Sequence, residues 1–309
     1  MRFSEKGDIM KILITGSNGF LGSNLVRFFS AKQEYEVHKT SQHPSYFPEW
    51  SNFIVGDLLD EAFVDSLFSD IKPDLVINTV SLANVDLCEE DPELAYELTV
   101  RTAKNVAQAA KRNGSRLIYI STDHLFEGDK PMYSEDDMPA PVNVYGKMKV
   151  EAELISRQIH SNTVIVRTNF FGWSHSYHTQ TFGEWLYNSL NKNIPINLYT
   201  DYYFTPIEVT YLAEALESLA LSDFTGIINV AGSQRCSKYE FGITMSEIFS
   251  LDPSVIHSGK IEINTFRAKR QKDLSLSTEK FRRIFGRKLP DIRESLKKFY
   301  DTRPMELTY

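Results

Sequence analysis

Cysteine is scarce: the chain has two in 309 residues, Cys88 and Cys236, in segments of different character. Two thiols so placed build neither a disulfide framework nor a zinc spacing, and they read as reduced, half-buried side chains. No apolar run approaches the roughly 20 residues that cross a bilayer, and the N-terminus lacks the apolar block of a signal peptide, so no membrane partner and a cytoplasmic location are expected. Positive charge is not in excess either. Lys and Arg number 34 against 41 Asp and Glu, a net charge of −7. With no basic run to track a phosphate backbone, nucleic acid is not an expected partner. Internal repeats and low-complexity tracts are also missing, which sets aside solenoids and biased linkers.

The chain does have a large apolar fraction, 42%, and a length that suits one large domain or a main domain with a smaller one. Residues 1–10, MRFSEKGDIM, are polar and read as an irregular arm. Short apolar runs then alternate with helical periodicity. Strands are expected at 11–15, 36–40, 53–55, 75–79, 117–121 and 164–167, with helices at 20–30, 92–113 and 145–158 between them. This alternation predicts an α/β fold with a doubly wound parallel sheet. After about Thr168 the texture turns aromatic and Asn-rich. A helix near 208–221 and a strand at 227–230 then return to the sheet. The expected division is therefore discontinuous: 11–168 with about 206–232 as a dinucleotide-binding Rossmann domain, and about 169–205 with 233–300 as a smaller C-terminal substrate domain.

Gly16-Ser17-Asn18-Gly19-Phe20-Leu21-Gly22 sets three glycines three apart, directly after a strand and at the start of a helix. Glycines there permit a tight turn and close backbone approach to a pyrophosphate, while the helix N-terminus supplies positive potential. The second strand ends His38-Lys39-Thr40-Ser41, where an acid would bind the ribose hydroxyls of NAD. A cation stands there instead, which favours NADPH over NADH. Asp57, after the third strand, is placed to accept from an adenine amino group or to cap a helix.

Tyr145 and Lys149 lie four apart, on one face of a helix. A nearby ammonium would lower the phenol from its usual value near 10, so that Tyr145 can exchange a proton with a carbonyl oxygen near neutrality. The strand Leu117 to Ile120 ends in Ser121-Thr122-Asp123, and hydroxyls at that edge face the ligand crevice of such a sheet. Thr122 could hold the substrate oxygen beside Tyr145, or serve only as a capping hydroxyl.

Several stretches together carry a family resemblance: Gly16 to Gly22, Lys72 to Asn78, Asn84-Val85-Asp86-Leu87-Cys88-Glu89, Ser121 to Gly128, and Pro141 to Lys149, with weaker echoes at Ala231 to Ser233 and Cys236 to Phe241. The chain resembles the extended short-chain dehydrogenase/reductases, nearest to the dTDP-4-dehydrorhamnose reductase group. The resemblance implies bound NADPH, or NADH, along Gly16, Asn18, Gly19, Phe20, Leu21 and Gly22, with Lys39, Asp57, Leu58 and Asn78 beside them. It implies Thr122, Tyr145 and Lys149 as the catalytic set, with Tyr145 and Lys149 also touching the cofactor. Hydride would pass to the 4-keto group of a nucleotide-linked deoxysugar held by Val85, Asp123, His124, Asn169 and Phe170. Two departures fall on the sugar side: His124 replaces an aromatic residue, and Asn169-Phe170-Phe171 replaces a stretch that commonly carries tryptophan.

Other signals carry less. His175 and His178 lack a third ligand, so no metal is expected. Glu135-Asp136-Asp137 reads as a solvated loop. Arg267, Lys269, Arg270 and Lys272 form a basic cluster that either meets a diphosphate or is a solvated face. A homodimer is compatible with the sequence. The rival functional readings are a non-catalytic NADP-binding regulatory subunit and a nucleotide-sugar epimerase or dehydratase.

Overall fold

A computed structural model describes residues 9–175, 180–262 and 266–304. Strand β1 (Met10–Thr15) is buried at every position but Lys11. β2 (Tyr35–Ser41), β3 (Phe53–Val55), β4 (Leu75–Asn78), β5 (Arg116–Ile120) and β6 (Thr163–Arg167) follow, and the strand Gly226–Asn229 completes the sheet. All pairings are parallel, in the order β3-β2-β1-β4-β5-β6 and then Gly226–Asn229 at the far edge. Unbroken apolar runs such as Leu75-Val76-Ile77 form strands of this kind because helices cover both faces. The fold is Rossmann-like, as expected, and β1 and β4 flank the point where strand order reverses.

On one face, helix α1 (Phe20–Ser30) presents Leu21, Leu25, Val26 and Phe29 at helical spacing and packs with the helix Val209–Ala220. On the other lie α2 (Glu61–Ile71), begun by the Asp60 side chain, and the helices Thr102–Asn113 and Val144–Ile159. The run expected as one helix from Pro92 to Asn113 is interrupted by a π-helical turn, Glu97–Arg101. That turn brings the Thr99 hydroxyl to 3.3 Å from both Ser81 Oγ and Leu82 N in the loop after β4.

A second apolar cluster gathers Phe171, Trp173, Leu186, Leu198, Phe204, Phe241, Met245 and Phe299. Two short strands within it, Ile196–Tyr199 and Ile256–Gly259, pair in parallel across 60 residues of chain. Phe281 and Leu289, assigned by sequence to the smaller unit, instead pack in the main core. Met10 belongs to β1 and is buried, so the arm ends sooner than residue 10. Both cysteines are free and fully buried rather than half-buried. Among the described residues, no helix is long and apolar enough to cross a membrane.

Candidate active site

The glycine turn is built for close approach. Gly16 adopts φ +70°, and a Cβ on Gly22 would stand 2.2 Å from the Gly16 carbonyl oxygen. Gly19 is the N-cap of α1 and offers no side-chain acceptor, so the first-turn N–H groups remain for an outside anion. Beside it, Asn78 Oδ1 accepts from Thr15 Oγ1 at 2.8 Å and from Val80 N at 3.1 Å, while its buried Nδ2 has no partner among the described residues. A bare helix start, a turn with glycine at its points of close approach and a buried donor unpaired among the described residues, all at the strand-order reversal, fit a dinucleotide.

Other cofactor expectations change in detail. Lys39 is buried, and its ammonium donates to the Val37 and Ser51 carbonyls at 3.0 and 2.8 Å, so it is not poised for a 2′-phosphate. The Asn18 amide braces the loop after β2, donating to the His43 and Pro44 carbonyls. Leu21 and Leu58 are core side chains, and Leu58 offers its carbonyl to Asn105. Asp57 accepts from Leu59 N and Gln42 Nε2 in the loop before α2, and the cap expected of it is supplied by Asp60 instead. Phe20 lies 5.5 Å from the Phe170 ring, joining the turn to the expected substrate side.

Thr122, Tyr145 and Lys149 converge at the end of β5. Asn143 starts the helix Val144–Ile159 by accepting from Gly146 N, and its amide donates to the Lys269 carbonyl at 2.9 Å. Glu89 accepts from Val144 N, tying the helix Val85–Glu90 to the same start. The buried Lys149 ammonium donates to the Ile120 carbonyl at 2.7 Å and lies over the Tyr119 ring. Burial lowers Lys149 to about 7, against the upward pull of Glu153. Glu153 is itself locked by Ser121 Oγ at 2.6 Å and by Arg167 at 2.8 Å. Tyr145 is not lowered as the sequence suggested. Burial raises it to about 12, and a hydrogen bond with Thr122 only partly offsets this.

Among the residues expected to face the substrate, Asp123 accepts from the Asn169 amide, and burial lifts its carboxyl to about 6. The His124 ring meets Tyr145 edge-on with centroids 5.6 Å apart. Burial, then the charges of Arg270 and Lys238, push His124 down to about 3, so it is neutral. Val85 opens its helix and is partly buried. The basic cluster is laced with acids: Arg267 pairs with Glu90, Arg270 with Asp86 and Lys272 with Asp201. Glu135 is more than a solvated acid, since it accepts from Asn229 N at 2.7 Å. His175 is perturbed by burial and Arg27, and His178 lies outside the described residues.

Residues 10–304 match the family model described as the RmlD substrate binding domain. The chain belongs to that family. Among curated RmlD relatives, it is 28% identical to the dTDP-4-dehydrorhamnose reductase of Sinorhizobium fredii over 302 residues, covering 94% of this chain and 96% of the relative. It is 31% identical over 252 residues to methionine adenosyltransferase 2 subunit beta of Xenopus laevis, covering 79% and 73%. The crystal structure of dTDP-4-dehydrorhamnose reductase from Bacillus anthracis in complex with NADP superposes with a TM-score of 0.86 at 26% identity, over 96% of this chain and all of that one. Its counterpart from Clostridium acetobutylicum gives 0.83 at 28% identity, over 94% and 99%.

Reading the sequence alone missed Asn143 and Lys238. An Asn just before a helical run is a capping signal that could have found the first. No local signal distinguishes Lys238 from a surface lysine.

Proposed function

We propose that the chain is an NADPH-dependent reductase, with NADH as the alternative cofactor, acting on the 4-keto group of a nucleotide-linked deoxysugar. The convergence of Thr122, Tyr145 and Lys149 behind the glycine turn carries the reading. When bound, the nicotinamide supplies the hydride. Tyr145 donates its phenolic proton to the carbonyl oxygen, and Thr122 donates a hydrogen bond to the same oxygen. Lys149 holds positive charge behind the phenol. The Lys39 argument for NADPH falls away, and the NADP bound by the Bacillus anthracis neighbour supports that cofactor instead.

The smaller apolar cluster, with the Asp123, His124, Asn169 and Phe170 side of the crevice, is the substrate unit in this reading. A regulatory role is the second reading, favoured by the 31% identity to a methionine adenosyltransferase 2 subunit beta. Fluorescence titration with NADPH and NADH, followed by addition of dTDP-4-keto-6-deoxyhexose, separates the two. Loss of reduced-nicotinamide absorbance is expected. Tight cofactor binding without oxidation would reject the reductase reading.

A further inference from the structure

On the His124 side of Tyr145 lies an aromatic cleft of about 410 Å³, lined by Phe182, Trp185, Tyr199, Tyr202, Lys238 and Arg270 among others. Its two cations differ. Arg270 is neutralised by Asp86 at 2.8 Å. The Lys238 ammonium rests on rings, 3.5 Å from the Phe204 centroid and 4.0 Å from that of Phe182, and makes no hydrogen bond or ion pair with any described residue. Lys238 also opens the helix Lys238–Phe249, where the helix dipole disfavours a cation, and it is partly withdrawn from water. Neither local helix stability nor a salt bridge accounts for a lysine there.

Its surroundings point inward, to the chemistry. Lys238 and Asp123 feel each other's charge, and Asp123 follows Thr122 directly. Lys238 and Arg270 both act on His124, whose buried Nδ1 has no partner among the described residues. Asp123 does not quench the ammonium, because its carboxylate is engaged by Asn169 and no ion pair forms. Lys238 therefore stands at the junction between the aromatic cleft and the Asp123 and His124 end of the Thr122 and Tyr145 site, with its donors committed to no described residue.

We propose that Lys238 is a specificity-determining anchor for an oxyanion of the substrate at this junction, either the phosphate next to the sugar or a carboxylate on the sugar itself. The proposal rests on the nucleotide-sugar reading above. Calorimetric binding of dTDP, UDP-glucose and UDP-glucuronate to the full chain tests it in wild type, Lys238→Met, Lys238→Gln and Lys238→Arg. Loss of one charge-assisted contact should weaken binding about 10- to 100-fold in the neutral variants, and Arg should restore most of it. An equal loss for all three ligands assigns the phosphate; a loss confined to UDP-glucuronate assigns the carboxylate. The neutral variants should melt close to wild type, since relief of a cation at the helix start offsets the loss of its contacts with the Phe204 and Phe182 rings. Unchanged affinity in both neutral variants, or no binding of any ligand to wild type, would overturn the proposal. Turnover is not the readout, so a protein that never oxidises NADPH defeats the reductase reading without deciding this one.

Discussion

A buried phenol raised to about 12 is a poor proton exchanger at neutral pH, yet it is the group the site places beside the Thr122 hydroxyl. The raising comes first from lost hydration, with the charge of Asp123 adding to it and the Thr122 hydrogen bond opposing it. Tyr145 therefore suits the role of an acid, a proton held until an oxygen gains charge, better than that of a standing base. Tyr145→Phe should lower the rate of reduction by about 10²- to 10⁴-fold, the usual range for a general acid, while leaving NADPH affinity almost unchanged. Steady-state rates and a fluorescence titration check both halves, and retained turnover would remove Tyr145 from the chemistry. At this scale the sequence was legible where spacing encodes geometry, as in Tyr145 and Lys149. It was illegible where the direction of a long side chain decides, since nothing in the string shows that the Lys39 ammonium turns to carbonyls or that Lys238 turns to rings.

Elements depend on how their ends are satisfied, and Glu208 shows the cost of doing so in the interior. It is the N-cap of the helix Val209–Ala220 and accepts from Thr210 N at 2.8 Å, yet it is 1% exposed. Burial raises its carboxyl from 4.5 to about 7. Between those values the folded chain keeps a proton that the unfolded chain has released, so this group makes stability fall as pH rises from about 4.5 to 7. Glu208→Gln keeps an oxygen for Thr210 N and removes the titration. It should be more stable than wild type at pH 8, by at most about 3 kcal/mol, with the difference gone near pH 4.5. Denaturant unfolding at both pH values checks this; a variant less stable at pH 8 would show that the charge of the cap outweighs its burial. Long elements of this kind were legible because periodicity is local. The paired strands Ile196–Tyr199 and Ile256–Gly259, and the π turn at Glu97–Arg101, were not, because each is held by partners remote in sequence.

For the whole molecule, the question is whether the main core and the smaller aromatic cluster behave as one body. The seam between them is tied by hydrogen bonds: Asn24 donates to the Trp173 carbonyl at 3.1 Å and Asn143 to the Lys269 carbonyl at 2.9 Å. Phe281 and Leu289 carry the chain back into the main core before the helix Ile292–Asp301 returns to the smaller cluster. The return of the chain to the main sheet near residue 227 was legible from strand periodicity, but these crossings were not, because a short apolar helix carries no mark of which core it joins. Chains that cross repeatedly couple the two units, so heat should unfold them together. NADPH at a hundred times its Kd adds about 2.7 kcal/mol to the folded state, enough to raise the melting temperature by roughly 5 °C in a chain of this size. Calorimetry should show one transition that moves as a whole. Two transitions, with only the one containing the glycine turn shifted by NADPH, would mean that the aromatic cluster folds independently and that the seam contributes contact without cooperativity.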